Sequence, residues 1–338
     1  MTTSNTREPA MVDVARLAGV SHQTVSRVLN NHPNVRVETA RRVRAAIAEL
    51  GYRPNRAARA LVTGRSQLIG LVALNTTLYG PASLLTAFEQ AAGSAGFAVS
   101  VGSVDSLDRR SISAVVERHL DQRVAGIVVI APVASAAEAV AGLTADVPLV
   151  TVDGDPARPG ANVTVDQTAG ARLATRHLLD AGHSTVWHVS GPADWFDSAG
   201  RVAGWEATLR EAGAEVPPVL PADWSAAAGY RVGQTLARIP EVTAVFAAND
   251  HLALGILRAL HERGRRVPDD LSVVGFDDVP ESGYFIPPLT TVRPDFHAVA
   301  ERVLTVLLSQ IDAGGPSVEQ HVVPPALVQR RSVGPPRG

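Results

Sequence analysis

From residue 67 onward the chain alternates short apolar runs with amphipathic segments, twice over, and this limits its fold more than any other feature. Residues 68–74, 97–101, 126–130 and 149–152 read as buried strands. Between them lie helical spacings, through Leu84, Leu85, Phe88 and Ala91 and over residues 112–120. A second series follows, with strands at 185–189, 219–220, 244–247 and 271–276 and helices at 200–211 and 252–263. Repeated strand–helix units imply parallel sheets covered by helices on both faces. Two such series, with the chain returning between them near residues 292–296, predict two lobes around a cleft.

The first 66 residues have a different texture. The stretch VDVARLAGVSHQTVSRVLN, residues 12–30, reads as two short helices. Val14, Leu17 and Ala18 give the first an apolar side, and Val25, Val28 and Leu29 the second. Gly19 permits the sharp turn between them, and the Ser21 hydroxyl is placed to accept the amide of residue 23 or 24 at the start of the second helix. His22, Gln23, Ser26 and Arg27 then face outward. Gln can bond adenine bidentately and Arg guanine, so the pair one helical turn apart suits a major-groove reader. A plain helical hairpin with a solvated polar face is the other reading of the same residues. Residues 38–50 add a third helix ended by Gly51, and Arg36, Arg41, Arg42 and Arg44 lie around it as candidate phosphate contacts.

The net charge of −2 hides an asymmetry that favours the groove reader. Residues 1–66 hold eleven arginines against four acids, +7, and the remaining chain has 20 basic against 29 acidic side chains, −9. A basic end suits a polyanion. Hydrophobic content of 46% and charge of 19% fit a soluble globular protein long enough for more than one core. Without cysteine there are neither disulfides nor thiolate metal sites. No export signal and no membrane-length apolar run is read, so a cytoplasmic, nucleoid-associated protein without membrane contact is expected.

In open parallel sheets ligands bind beyond the carboxyl ends of the strands. Asp153 follows PLVTV, Asn249 follows AVFAA, Asp277 follows SVVGF, and Arg201 opens a helix at RVAGW. Carboxylates accept from vicinal hydroxyls, the amide donates and accepts, and the guanidinium donates. Together they suit a sugar, with Trp224 and Phe296 as apolar surface for a pyranose C–H face. Each acid taken singly also reads as a helix cap or a structural ion pair. An enzyme is not expected: no phosphate-loop, dinucleotide, zinc-protease or serine-elbow motif is present, and adjacent Asp277 and Asp278 on one strand point to opposite sides. No cofactor or metal is expected either.

These stretches, VSHQTVSRVLN, ADWSAAAGY, ANDHLALG, SVVGFDDVPES and YFIPPLTTVRPDF, resemble the LacI/GalR family of bacterial transcription regulators over nearly the whole chain. The resemblance implies a three-helix DNA-binding headpiece at 1–53, a hinge helix at 54–66, and a two-lobed, periplasmic-binding-protein-like core at 67–338. Its N-lobe is placed at about 67–166 and 294–323, and its C-lobe at about 167–293 and 324–333. Implied DNA contacts are Ser21, His22, Gln23, Thr24, Ser26, Arg27, Asn30, Asn55, Arg59 and Leu61, with Leu61 wedged into the minor groove. Asn55 can also cap the hinge helix. Implied effector contacts are Asp153, Arg201, Asn249, Asp277, Trp224 and Phe296, with Leu78 and Pro81 at the aglycone end.

The expected function is a homodimeric repressor that leaves a palindromic operator of a sugar-utilisation operon when a galactoside or related hexopyranoside binds. A family regulator with a purine or other corepressor is the alternative. The chain departs from the family's galactoside pattern at Ile130 and Pro294, where polar residues are lost, and at Trp195, Phe196 and Asp197, where small residues are usual. Trp195 and Asp197 are therefore further candidate effector contacts. His22 in place of tyrosine implies an altered operator. No leucine heptad tail follows residue 332, which favours a dimer over a tetramer.

Overall fold

A computed structural model describes residues 9–29, 34–52, 66–74, 77–106, 108–141, 147–155 and 157–337. The chain divides at Ser66/Gln67 into two compact units. Of the expected DNA contacts, Asn30, Asn55, Arg59 and Leu61 lie outside the described residues.

The first unit has three helices, α1 Met11–Ala18, α2 His22–Leu29 and α3 Val37–Leu50. Val14, Ala15, Ala18, Val25, Val28, Val43, Ala46 and Tyr52 form its small core. The Asp13 carboxylate accepts the Ala10 N–H at the start of α1 (2.9 Å), and Gly19 ends that helix at φ 63°, a left-handed conformation that costs glycine little. Ser21 Oγ accepts the Thr24 N–H at 3.1 Å, a cap typically contributing about 1 kcal/mol. Gly51 closes α3 in the same way as Gly19 closes α1. Two sequence expectations need correction. Leu17 is half-exposed, because the face centred on Val14 and Ala18 turns it to the rim. Arg42 is no free phosphate contact: its guanidinium donates to the Ala18 carbonyl and to the Gly19 carbonyl at 3.2 Å, tying α3 to the turn between α1 and α2.

The second unit holds two six-stranded sheets. In chain order its elements are β1 Leu68–Leu74, α4 Tyr79–Ser94, β2 Ala98–Val104, α5 Arg109–Asp121, β3 Gly126–Ile130, α6 Ala134–Ala141, β4 Leu149–Val152 and β5 Ala161–Val165. The chain then crosses over, through α7 Gln167–Asp180, β6 Trp187–Ser190, α8 Phe196–Glu211, β7 Leu220–Pro221 and α9 Ala226–Leu236. It continues with β8 Ala244–Ala247, α10 Asp250–Glu262, β9 Ser272–Phe276 and β10 Thr290–Arg293, and returns through α11 Phe296–Ala313, β11 Gln320–Val323 and β12 Ala326–Val328. The N-lobe sheet runs β11-β5-β4-β3-β1-β2, all parallel. The C-lobe sheet runs β12-β10-β9-β8-β6-β7, parallel except for antiparallel β12.

Two of the crossovers are built as helix starts. Asp166 caps α7 by accepting the Ala169 N–H at 2.8 Å, and Asp295 caps α11 by accepting that of Ala298 at 2.9 Å. The last crossover is a Pro324–Pro325 pair between β11 and β12, where no backbone donor is needed. In the C-lobe, α9 and α10 pack backbone against backbone, and a Cβ on Gly255 would overlap the Ala226 carbonyl. Close packing of this kind holds the strand ends at the cleft in fixed positions.

Candidate functional site

In the first unit, α2 presents Ser21, His22, Gln23 and Arg27 to solvent, with Thr24 and Ser26 half-buried. Thr24 shares a 2.9 Å hydrogen bond with Ser21. Gln23 and Arg27 are four residues apart, so they share one exposed face.

In the second unit one cleft between the lobes is lined by all ten expected effector residues, Leu78, Pro81, Asp153, Trp195, Asp197, Arg201, Trp224, Asn249, Asp277 and Phe296. Arg201, on the second turn of α8, is only 4% exposed. Its Nε donates to Gln167 Oε1 at 2.9 Å, its Nη1 donates to the Ala248 carbonyl, and its planar head lies 3.7 Å from the centre of the Phe276 ring. Nη2 faces two carboxylates, Asp197 and Asp277, each at 3.8 Å. These are ion-pair distances too long for a hydrogen bond, so the carboxylate lone pairs on that side stay open.

Asp277 has φ 103° and Asp153 φ 52°, conformations rare outside glycine and concentrated at functional sites. The neighbour Asp278, at φ 50°, accepts from Arg293 Nε and Arg330 Nη2, both at 2.6 Å. The two adjacent aspartates thus serve different partners. Asp250 ties the strand ends together, accepting from Thr291 Oγ1 and, at 2.9 Å, from the Val279 N–H. Asn249 is the N-cap of α10, accepting the Leu252 N–H at 2.8 Å and donating to the Trp224 carbonyl at 3.2 Å. Its remaining lone pair and N–H are what it can offer a ligand.

Burial lifts the Asp277 carboxyl to about 7, Arg201 opposing and Asp197 adding to the rise. Asp153 is also lifted to about 7, first by burial and then by the charge of Asp197, against hydrogen bonds from Thr164 and Val165 and the pull of Arg201. Asp197 is raised by burial, with Arg201 and the Gln167 amide lowering it.

Trp224 is 9% exposed, and its ring meets Trp195 edge-on at 5.4 Å. Its indole N–H is buried without a partner. A Cβ on Gly191 would fall inside the Trp224 ring, so glycine there seats the indole. Across the cleft Phe296 meets Tyr79 edge-on at 6.2 Å, beside Ile130 and Pro294. The lobes also join directly: Val133 and Trp195 form an antiparallel bridge, and the Phe196 N–H donates to the Pro132 carbonyl at 2.9 Å. Gln167, Thr164, Tyr79 and Gly191 are site residues that sequence reasoning missed. Gln167 and Thr164 belong to β5 and its crossover, a strand the apolar runs do not mark, and Gly191 differs from other loop glycines only in what packs over it.

A model of the lacI family of bacterial regulatory proteins matches residues 10–55, and one of the periplasmic binding protein-like domain matches residues 175–333. The lactose operon repressor of Escherichia coli K12 is 35% identical over 95% of this chain and 90% of its own length. The chain belongs to the LacI family. The HTH-type transcriptional repressor PurR of Escherichia fergusonii is 33% identical, over 95% of this chain and 96% of its own. A lac repressor dimer bound to operator and the anti-inducer ONPF superposes with a TM-score of 0.85 at 33% identity, covering 97% of this chain and all of that one. As a LacI-family member the chain is a DNA-binding regulator with an effector-binding core, and not an enzyme. Among the described residues no helix is long and apolar enough to cross a membrane.

Proposed function

We propose that this LacI-family regulator is a homodimeric repressor released from a palindromic operator by a galactoside or related hexopyranoside. The observation that carries the reading is the convergence of Asp153, Arg201, Asn249 and Asp277 with the aromatic faces of Trp224 and Phe296 in one cleft. Hydroxyl-matching polar groups beside flat apolar surface are what a pyranose requires. The lactose operon repressor among its relatives supports the same class. In this reading residues 1–53 are the headpiece, in which Gln23 and Arg27 read base edges, 54–66 are the hinge, and 67–338 are the effector core. The protein works in the cytoplasm, where its operator lies. A homodimer is in keeping with the lac repressor dimer.

Release requires the sugar to prefer one lobe arrangement, and reversing a strongly biased equilibrium takes about 5 kcal/mol of such preference. A purine corepressor is the second reading, favoured by the aromatic lining of the cleft. The convergent carboxylates and arginine favour the sugar. The test is fluorescence anisotropy on DNA from the gene's own upstream region, at fixed salt because phosphate contacts alone make affinity salt-dependent. Release by a galactoside or glucoside is expected. Tighter DNA binding with a purine, and no response to any sugar, would overturn the sugar assignment.

A further inference from the structure

The cleft carries one carboxylate, Asp197, beyond the pair, Asp153 and Asp277, implied for a neutral galactoside. Three carboxylates, Asp153, Asp197 and Asp277, line it against one guanidinium, and no lysine, histidine or second arginine does. Arg201 has already committed Nε to Gln167 and Nη1 to the Ala248 carbonyl. Only Nη2 is left for Asp197 and Asp277, at 3.8 Å each. Asp153 sits on the opposite lobe with a single side-chain donor, Thr164 Oγ1 at 3.0 Å. Charges withdrawn from water need partners of opposite sign, or they take up protons.

Two further observations point to a ligand at this place. The Trp224 indole N–H, buried and without a partner, belongs to a ring that lines the cleft. Trp195 stands edge-on to that ring at 5.4 Å, and the Arg201 guanidinium already lies 5.5 Å from the centre of the Trp224 ring, so Trp195 is the aromatic surface left for an organic cation. Among the described residues no three carboxylate or imidazole side chains are grouped to hold a metal ion. An ammonium meets carboxylates through hydrogen bonds of about 2.7–2.9 Å, longer than metal–oxygen bonds, and needs a looser grouping.

We propose that the effector is an amino sugar, a hexopyranose or hexopyranoside bearing a protonated amine that sits among Asp153, Asp197 and Asp277. The inference rests on the hexopyranoside reading and sharpens it. An ammonium brings three donors and a positive charge to the excess of acceptors. The ring hydroxyls are left for Arg201 and Asn249. Asp197, where small residues are usual in the family's galactoside pattern, is the specificity-determining residue, because it adds the third carboxylate.

The test is calorimetric titration of the full chain near neutral pH with D-galactose, its 2-amino and 6-amino derivatives, the N-acetylated forms and the corresponding glucose series. One amine is expected to bind at least tenfold tighter than both its parent sugar and its N-acetyl form. In Asp197→Asn that preference is expected to fall to about onefold. Neutral sugars binding as tightly as the amines would overturn the proposal while leaving the hexopyranoside reading in place; the carboxyls would then be carrying protons of their own. No binding by any of these sugars would overturn both. Equal loss of amine and neutral binding in Asp197→Asn would assign that residue to packing and would also count against the proposal. The wild-type comparison decides the matter even if the variant does not fold.

Discussion

The two walls of the cleft are built differently. The C-lobe wall holds most of the polar groups, beside the rings of Trp195 and Trp224, and is tied down: Arg201 is held by Gln167 and the Ala248 carbonyl, Asn249 is spent partly as a helix cap, and Asp277 follows a fully buried strand. The N-lobe wall is mainly apolar, with Leu78, Tyr79, Pro81, Ile130 and Phe296, and Asp153 is its one carboxylate. The difference teaches a division of labour. In the proposed reading, directional groups on a rigid support choose the ligand, and the apolar face of the other lobe excludes water and senses closure.

The largest test of that division is Arg201→Ala. Removing a buried, hydrogen-bonded charge costs about 2–5 kcal/mol, roughly thirtyfold to several thousandfold in affinity. Effector release, followed by anisotropy, is expected to disappear from the working concentration range, with melting temperature recorded to separate unfolding from loss of site. A folded variant still released at the wild-type effector concentration would remove the C-lobe from its selecting role.

A second consequence concerns pH. For a carboxyl raised to about 7 in the folded protein from an ordinary value of 3.8, the unfolded chain loses its proton first as pH rises. The folded state therefore holds the extra proton, and stability falls between about 4 and about 7. Asp277→Asn removes that penalty. Its melting temperature relative to wild type is expected to rise as pH goes from 5 to 8, and a constant difference would contradict a buried, proton-holding Asp277.

Gly191→Ala comes next in size. Overpacking of this kind costs about 1–3 kcal/mol when the neighbour must move, and the neighbour is the Trp224 ring. Weaker effector binding with a shifted tryptophan emission is expected. Unchanged emission with weaker binding would show that Gly191 acts by some route other than seating the indole.

Gly191 also marks where sequence reading stops. Asp153, Asn249 and Asp277 were legible because each directly follows an apolar strand; Arg201 was legible through RVAGW, although the helix it was expected to open begins at Phe196 and puts it on the second turn. The strands β5, β10, β11 and β12 were not named, since they are short and all but β12 mix polar with apolar residues, so Thr164 in β5 and Gln167 after it went unseen. Ser21 and Gly19 announced the turn between α1 and α2 through local chemistry alone. Arg42 was misread for the opposite reason: its partners are the carbonyls of residues 18 and 19, a contact that only tertiary packing creates. Residues whose role is fixed by neighbours in the chain can be read. Those fixed by what folds over them cannot.

The smallest effect is expected from Phe296→Leu, which keeps apolar volume on the N-lobe wall but removes the flat ring and its edge contact with Tyr79. Aromatic contacts of this sort contribute about 0.5–1.5 kcal/mol beyond the area they bury, so roughly a threefold to tenfold loss of effector affinity is expected. Because the ring belongs to the closing face, the loss should fall on the coupling between effector and operator as well as on effector binding itself. Titrating effector onto free protein and onto the operator complex measures both. If Phe296→Leu cost as much as Arg201→Ala, the N-lobe wall would be choosing the ligand too, and the asymmetry between the two walls would be one of composition without consequence for recognition.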